Sequence, residues 1–457
     1  MSTQLDPRPP RRRRRRRKSP AGEAQAQASA PAPASTNGRA PGAPAGAPAG
    51  GAQTSAPQPN RPPRNDRPQR HNDRGQRFDR GPRQDRPPRN DQSSSQTLTT
   101  VSGLLEIGRQ GGGHLREGAL SRPEDATVSA GQIRSWGIRP GDLVEAEARG
   151  RTVERLMTVN GHPPENLDQR PAFDRLTAIH PDTALVLGPT PDAITGRLLD
   201  LIAPVGRGQR GLIVAPPKAG KTTILRDIAI GLGHDPDVML ITCLVGERPE
   251  EVTDLRRAIP GMVLAADLDM PVADHIRVAS IGVEHAKRLV EEGKHVVVLM
   301  DSLTRLARAY NNSIGGGGRT LSGGMDSGAL QPVRKIFGAA RMTEEAGSLT
   351  ILATCLVDTG SRLDDLVYEE FKGTGNMEVH LDRKLAEQRL FPAININRSG
   401  TRREELLLSP QTLQQMQSVR RKLAGVPPDK ALSALLAALR RQTMAAGEVE
   451  PEAEMAL

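Results

Sequence analysis

The segment that most constrains this chain is Ala215-Pro-Pro-Lys-Ala-Gly-Lys-Thr222, which follows an apolar run at 211–215 and precedes a helical pattern from Thr223. Gly-Lys-Thr at a strand-to-helix turn is the pattern of a phosphate loop, because the free N–H groups of a helix N-terminus converge on an anion. Such a loop needs a parallel sheet behind it, and near-continuous apolar runs recur at 238–245, 295–300 and 349–357. Strands apolar on both faces belong in a sheet covered by helices on both sides, which predicts an α/β fold. The N–H groups of 218–222 are then expected around a β-phosphate, with Lys221 at the β/γ oxygens and Thr222 as a ligand to Mg²⁺. Ala215 stands where glycine is more common; Gly220, Lys221 and Thr222 carry the assignment.

Two carboxylates extend the pattern. The run at 295–300 ends in Asp301, an acid at a strand tip where it can hold Mg²⁺ through water. The run at 238–245 ends in Gly246-Glu247-Arg248, and a glutamate there suits polarisation of an attacking water. Glu247 alone also reads as a helix-start acid in Glu247-Arg-Pro-Glu-Glu251; the other two motifs favour the catalytic reading. Together the three predict a nucleoside triphosphatase of the RecA-like kind.

Composition divides the rest of the chain. Of 457 residues, 1–96 hold 20 of the 63 Lys and Arg, 17 of the 38 prolines and 7 of the 53 acids, so a basic tail precedes a slightly acidic body. Its large apolar residues are Met1, Leu5 and Phe78, too few to offset the entropy of ordering, so it is expected to be disordered. Seven arginines run from Arg11 to Arg17, and from Arg61 to Arg89 arginine recurs every three residues with one slip, the turn of a polyproline II helix. The tail is either a solubilising spacer or an anion-binding arm for nucleic-acid phosphates, the second being preferred.

Residues 97–165 show short alternating segments such as Val144-Glu-Ala-Glu-Ala-Arg149 between glycine turns, which predicts a small OB-like barrel. Residues 166–185 read as a linker, 186–430 as the ATPase domain and 431–457 as a C-terminal helix with an acidic end. With five Phe, two Tyr and one Trp, nucleic-acid binding is expected to lean on charge and backbone more than on stacking. No apolar run approaches the ~18 residues of a membrane span. The arginine block lacks the apolar segment of a secretory leader, and Cys243 and Cys355 have no histidine at metal spacing. These features predict a cytoplasmic protein without disulfide or zinc.

The segments Gly206-Arg-Gly-Gln-Arg-Gly211, Glu247-Arg-Pro-Glu-Glu-Val252, Asp301-Ser-Leu-Thr-Arg-Leu-Ala-Arg-Ala-Tyr310, Tyr368-Glu-Glu-Phe-Lys-Gly-Thr-Gly-Asn-Met377 and Asn397-Arg-Ser-Gly-Thr-Arg-Arg-Glu-Glu-Leu406 together resemble the bacterial transcription termination factor Rho family. The resemblance is dense over 205–406 and weak before 165. It implies a homohexameric ring that hydrolyses ATP with Mg²⁺, pulls single-stranded RNA through its centre and releases the transcript from RNA polymerase, with elongation factors as further partners. It implies Glu247 as catalytic base, Lys221 and Thr222 at the phosphates, Asp301 at Mg²⁺, and Arg402, with Arg389, acting from the neighbouring subunit. The alternative for Arg402 is a surface pair with Glu404 or Glu405. Further nucleotide contacts fall on Gly206, Arg207, Gly208, Gln209, Arg210, Gly211, Lys218, Ala219, Gly220, Thr223 and Arg248, with Phe391 at the adenine.

For RNA, the resemblance implies a first pore loop at 315–324, with Arg319, Thr320, Leu321, Ser322, Gly323 and Gly324, and a second at 358–362, with Arg362 where lysine is usual. It implies a primary site at Gly111, Gly112, Gly113, His114, Leu115 and Arg116. Here the sequence departs from the family: Gly112 and His114 hold the positions of stacking aromatics, and Thr127 that of a tyrosine. The barrel's grip is therefore expected to shift toward phosphate contacts by Arg116 and the tail. Gly246 replaces the aspartate that commonly precedes the base. Two rivals share parts of the pattern. A rotary ATP synthase subunit lacks the glycine-rich loop and the 358–362 segment. A non-catalytic RNA-binding protein acting through its tail has no use for a complete set of Lys221, Glu247, Asp301 and Arg402.

Overall fold

The computed structural model describes residues 97–165, 167–314 and 322–447. The arginine tail, the first part of the glycine-rich loop (315–321) and the acidic end lie outside the described residues.

Five strands, β1 (Leu98–Ile107), β2 (Gly113–Arg116), β3 (Ala126–Val128), β4 (Leu143–Arg149) and β5 (Thr152–Val159), close into a barrel in the order β1-β2-β3-β5-β4. The alternation in β4 works as expected: Val144, Ala146 and Ala148 are buried and the glutamates between them are not. Helix α1 (Ala130–Trp136) starts on a capping box between Ser129 and Gln132 and stops at Gly137, whose φ of 67° suits a residue without a side chain.

The second half is a doubly covered sheet. The strands of this half are β6 (Ala178–Ile179), β7 (Ala184–Leu185), β8 (Val205–Gly206), β9 (Arg210–Ala215), β10 (Val238–Glu247), β11 (Met262–Asp267), β12 (His295–Asp301), β13 (Arg341–Thr343), β14 (Ser348–Leu356), β15 (Met377–His380) and β16 (Gly400–Thr401); β7 and β8 pair with each other as a separate ribbon, and the other nine form the sheet. The order β11-β10-β12-β14-β9-β15 is parallel throughout; β16 adds antiparallel at one edge, and β13 pairs with both β14 and β6. Helices α2 (Ile194–Ile202), α3 (Lys221–Leu232) and α4 (Pro249–Ala258) share one apolar core with Ile213, Leu244, Val297 and Leu352. Helices α5 (Val272–Glu291), α6 (Leu303–Ser313), α7 (Leu330–Phe337) and α8 (Arg362–Lys372) share the other with Val214, Val245, Val298 and Ile351. Neighbouring residues of each strand thus serve opposite cores, which is why the strands read as unbroken apolar runs.

The barrel sits on the α5 side. Leu104 and Ala119 join the core there. A Cβ on Gly141 would lie 2.4 Å from the backbone of Glu284. Asp142, fully buried, accepts from both terminal nitrogens of Arg170 at 2.7 and 2.9 Å. The stretch expected as a linker is fastened here too: Phe173 is 2% exposed, its N–H donates to Glu291 at 2.7 Å, and β6 belongs to the main sheet.

Candidate nucleotide site and RNA-binding surfaces

The phosphate loop leaves the sheet at the C-terminal end of β9. Ala215 is still in the strand, its carbonyl accepting from Val357 N–H at 3.3 Å, so glycine is not required there. The left-handed positions are Lys218 and Gly220, at φ 65° and 91°. Ala219 is buried beneath the loop and Lys218 is exposed. Helix α3 begins at Lys221, two residues earlier than expected, and Gly220 offers no side chain to cap it. The N–H groups of its first turn are therefore left for an anion.

Three side chains meet at this point. Lys221 Nζ donates to Glu247 Oε1 at 2.5 Å and to Asp301 Oδ1 at 2.7 Å. Asp301 Oδ1 also accepts from Thr354 Oγ1 at 2.6 Å, while Asp301 Oδ2 is buried with no partner. Arg305, in the first turn of α6, brings Nε to 3.2 Å from Glu247 Oε1. Thr222 Oγ1 donates to Glu251 at 3.0 Å. Burial, then the charge of Asp301, raises the Glu247 carboxyl above its ordinary range against the pull of Lys221 and Arg305. Burial depresses Lys221, but the carboxylates of Asp301 and Glu247 more than offset this and raise it. Gly246 lies at a bulge, with φ 67° and a register shift between Val245 and Glu247. A Cβ there would stand 3.4 Å from Arg305 Cδ.

Beside the loop, Phe391 lines a cleft of about 180 Å³ with Gly220, Thr223, Thr195, Asp227 and Arg440. Thr195 Oγ1 donates to Asp227 at 2.6 Å. Exposed Arg248 stands at the N-cap position of α4 next to Glu247, with no capping bond from its side chain.

Other expected nucleotide contacts are not brought here. Gly206, Arg207, Gly208, Gln209, Arg210 and Gly211 enter β9 at its other end, roughly 16 Å from the loop at ~3.3 Å per residue. They serve the fold. Arg207 pairs with Asp235, Gln209 Nε2 donates to Asn376 Oδ1, and Arg210 donates to the carbonyls of Ala340 and Thr374. A Cβ on Gly208 would lie 2.2 Å from Met342 N. Arg402 follows β16, whose Thr401 pairs with Met377 and, through it, lies level with Gly211. It is exposed and away from Lys221 of its own chain. The surface pair next to it joins Arg403 to Glu405, so Arg402 makes no ion pair among the described residues. Arg389 is exposed, with φ 60°.

Of the first pore loop, Arg319, Thr320 and Leu321 lie outside the described residues. Ser322–Gly324 forms a short 3₁₀ turn against the start of α8, where a Cβ on Gly323 would be 2.8 Å from Leu363 N. This brings the turn beside exposed Arg362, the first residue of α8. Asp364, buried one turn on, accepts from Arg308 at 2.9 and 2.6 Å and from Thr359 at 2.6 Å, which ties α8 to α6 just after Asp301.

On the barrel, half of the expected primary site is used for folding. Leu115 is 3% exposed in the core, and a Cβ on Gly113 would lie 2.7 Å from Leu105 Cδ1. Arg116 is 8% exposed and is held by Glu106 at 2.7 Å and by Asp125 and Ser121, so it is not available to a phosphate. Gly111, Gly112 and His114 remain partly exposed, with His114 opposite Thr127 across β2 and β3.

This fold, with an acid at each of two strand tips facing a phosphate-loop lysine, is that of a RecA-like nucleotide-binding ATPase. Residues 196–401 match the ATP synthase alpha/beta family, nucleotide-binding domain, and residues 101–165 match the Rho termination factor, RNA-binding domain. The chain is 52% identical over 354 residues to transcription termination factor Rho of Streptosporangium roseum, covering 76% of this chain and 91% of that one. It is 50% identical over 345 residues to transcription termination factor Rho of Bacillus subtilis, covering 73% and 81%. The chain belongs to the transcription termination factor Rho family, and its barrel is an RNA-binding domain. A solved ATPase from a bacterial type III secretion system shares the ATPase fold, at 24% identity and a TM-score of 0.51, covering 59% of this chain and 84% of that one. Among the described residues no helix is long and apolar enough to cross a membrane.

Proposed function

We propose that this protein is an RNA-stimulated ATPase that works as a homohexameric ring, moves along nascent RNA and terminates transcription by releasing the transcript from RNA polymerase. The observation that carries this reading is Lys221 held between Glu247 and Asp301 at an uncapped helix N-terminus, in a chain whose barrel binds RNA. Glu247 takes a proton from the attacking water. Its raised carboxyl makes it a stronger base than an exposed glutamate. Lys221, kept charged by its acid neighbours, meets the β- and γ-phosphate oxygens. The partnerless Asp301 Oδ2 and the Thr222 hydroxyl fit a hydrated Mg²⁺, which when bound would neutralise charge on the phosphates. Phe391 stacks on the adenine.

Arg402 lies apart from the phosphate loop of its own chain and is exposed, with no ion pair among the described residues, which suits a finger given to the next subunit. Gly323, Gly324 and Arg362 form the described part of the RNA grip in the pore, and the arginine tail adds phosphate contacts outside it. ATP turnover with and without a pyrimidine-rich RNA tests the whole reading. Stimulation of turnover by RNA is expected, and turnover indifferent to RNA would overturn it. Deleting 1–96 is expected to weaken RNA binding and flatten its salt dependence while leaving ATP binding intact.

A further inference from the structure

The barrel must hold RNA with almost no aromatic surface. Across residues 97–165 the one Phe, Tyr or Trp is Trp136. It is the last residue of α1 and is half-buried, packed with Leu156 against the rim of the barrel core. Its remaining surface lines a cleft of about 640 Å³ together with Arg134, Glu154, Arg155, Leu156 and Pro164, within the ~300–1,000 Å³ range of small-ligand sites. The charges of this cleft do not cancel. Glu154 is taken by Arg149 at 2.7 Å and Arg155 by Glu147 at 2.9 Å. Arg134, exposed in the last turn of α1, pairs with no acid among the described residues. An exposed part of an indole next to Leu156 and Pro164, with one surplus guanidinium, suits an unpaired base and its adjoining phosphate.

We propose that this cleft is a base-stacking subsite for single-stranded RNA: one unpaired base lies on the Trp136 indole while Arg134 takes a neighbouring phosphate. The subsite rests on RNA binding by the barrel, and it moves stacking away from His114 and Thr127, where no aromatic stands. Because stacking tolerates any base, the subsite contributes affinity with little sequence preference.

Trp136 is the chain's only tryptophan, so intrinsic fluorescence reports this position alone. Full-length protein is titrated with a short oligocytidylate, followed by anisotropy of a fluorescein label and, unlabelled, by tryptophan emission. A matched abasic oligomer serves as control. The expected result is saturable quenching with the same midpoint as the anisotropy curve, and no quenching by the abasic strand. Trp136→Leu is expected to weaken binding about tenfold and Trp136→Phe to restore most of it. Arg134→Ala is expected to weaken binding a few-fold and lower the salt slope by about one. The wild-type titration and Arg134→Ala do not depend on the fold tolerating a change at 136. Binding by anisotropy with unchanged tryptophan emission would overturn the subsite and leave RNA binding standing. Absence of any binding would overturn the RNA reading and the subsite with it.

Discussion

The two ligand sites of this chain were both marked by short glycine-bearing motifs, and they fared differently on folding. At the nucleotide site, Lys221 and Asp301, 80 residues apart, come within 2.7 Å, because a parallel sheet aligns the C-terminal tips of its strands. In the barrel, the latter part of the segment 111–116 becomes the strand β2, and alternate residues turn inward: Gly113 and Leu115 are buried. Arg116 is drawn into a buried pair with Asp125 and Glu106. A motif in a loop at a helix N-terminus leaves its donors for a ligand, whereas a motif in a barrel strand gives about half of its side chains to the core.

The widest contrast is expected from changes at the nucleotide site. Lys221→Ala should reduce ATP turnover by at least about a hundredfold, and Glu247→Ala should lower kcat by about 10²–10³ with ATP binding retained. Because burial and Asp301 raise the Glu247 carboxyl, the acid limb of the kcat profile should lie above the ordinary glutamate range, with activity lost as pH falls through it and the base is protonated. Near wild-type RNA-stimulated turnover in Glu247→Ala would remove Glu247 as the base.

Arg402 sharpens the contrast, since its place in the fold has meaning only between chains. Rings mixed from Arg402→Ala and Lys221→Ala subunits should recover part of the lost ATPase activity, because some interfaces then pair an intact loop with an intact finger. Mass-confirmed mixed rings with no recovery at any ratio would count against action across the boundary.

In the barrel, Arg116→Ala should act on stability. Removing Arg116 leaves the buried Asp125 uncompensated, while Glu106 keeps Arg277 at 3.0 Å; the cost is about 3 kcal/mol, read as a lower Tm, while the folded protein keeps the salt slope of its RNA binding. An unchanged Tm with a slope lower by about one would return Arg116 to the phosphate. The smallest effect is expected at His114. Burial and the nearby Arg116 charge lower its pKa from 6.5, so its neutral form predominates as pH falls from about 7.5 to about 6.5. RNA affinity should change by less than about twofold across that interval, and a rise of several-fold would mean that a protonated His114 contacts phosphate.

Much of the nucleotide site was readable in advance because its residues lie at breaks in apolar runs. Asp301 and Glu247 end strands, and Gly220-Lys221-Thr222 opens a helix. Residues that share the site without such a break were missed. Thr354 sits inside β14, Asp227 inside α3, and Arg305 inside a motif noted for its aspartate. Nothing local distinguishes them from residues facing solvent or core. The segment 206–211, also expected at the nucleotide, lies at the opposite end of β9 from the phosphate loop of its own chain. Its glycines and arginines look like a phosphate cradle, but Gly208 is there to let β13 approach and Arg210 to donate to carbonyls at the far end of β9. Gly246 has a local reason that the sequence did not disclose, a bulge that needs a positive φ one residue before Glu247.

The sequence by itself determined the elements: which runs are strands, where the phosphate loop turns into a helix, and that a small barrel precedes the sheet. These depend on patterns a few residues long, set by backbone geometry and by the two-residue or unbroken spacing of apolar side chains. Only the tertiary structure decided which end of a strand a residue occupies relative to the loop, which arginines are matched by buried acids and which stay free, and that the half-buried Trp136 lines a cleft beside Arg134. Those outcomes depend on neighbours that are distant in sequence, and no local pattern encodes the partner across the sheet.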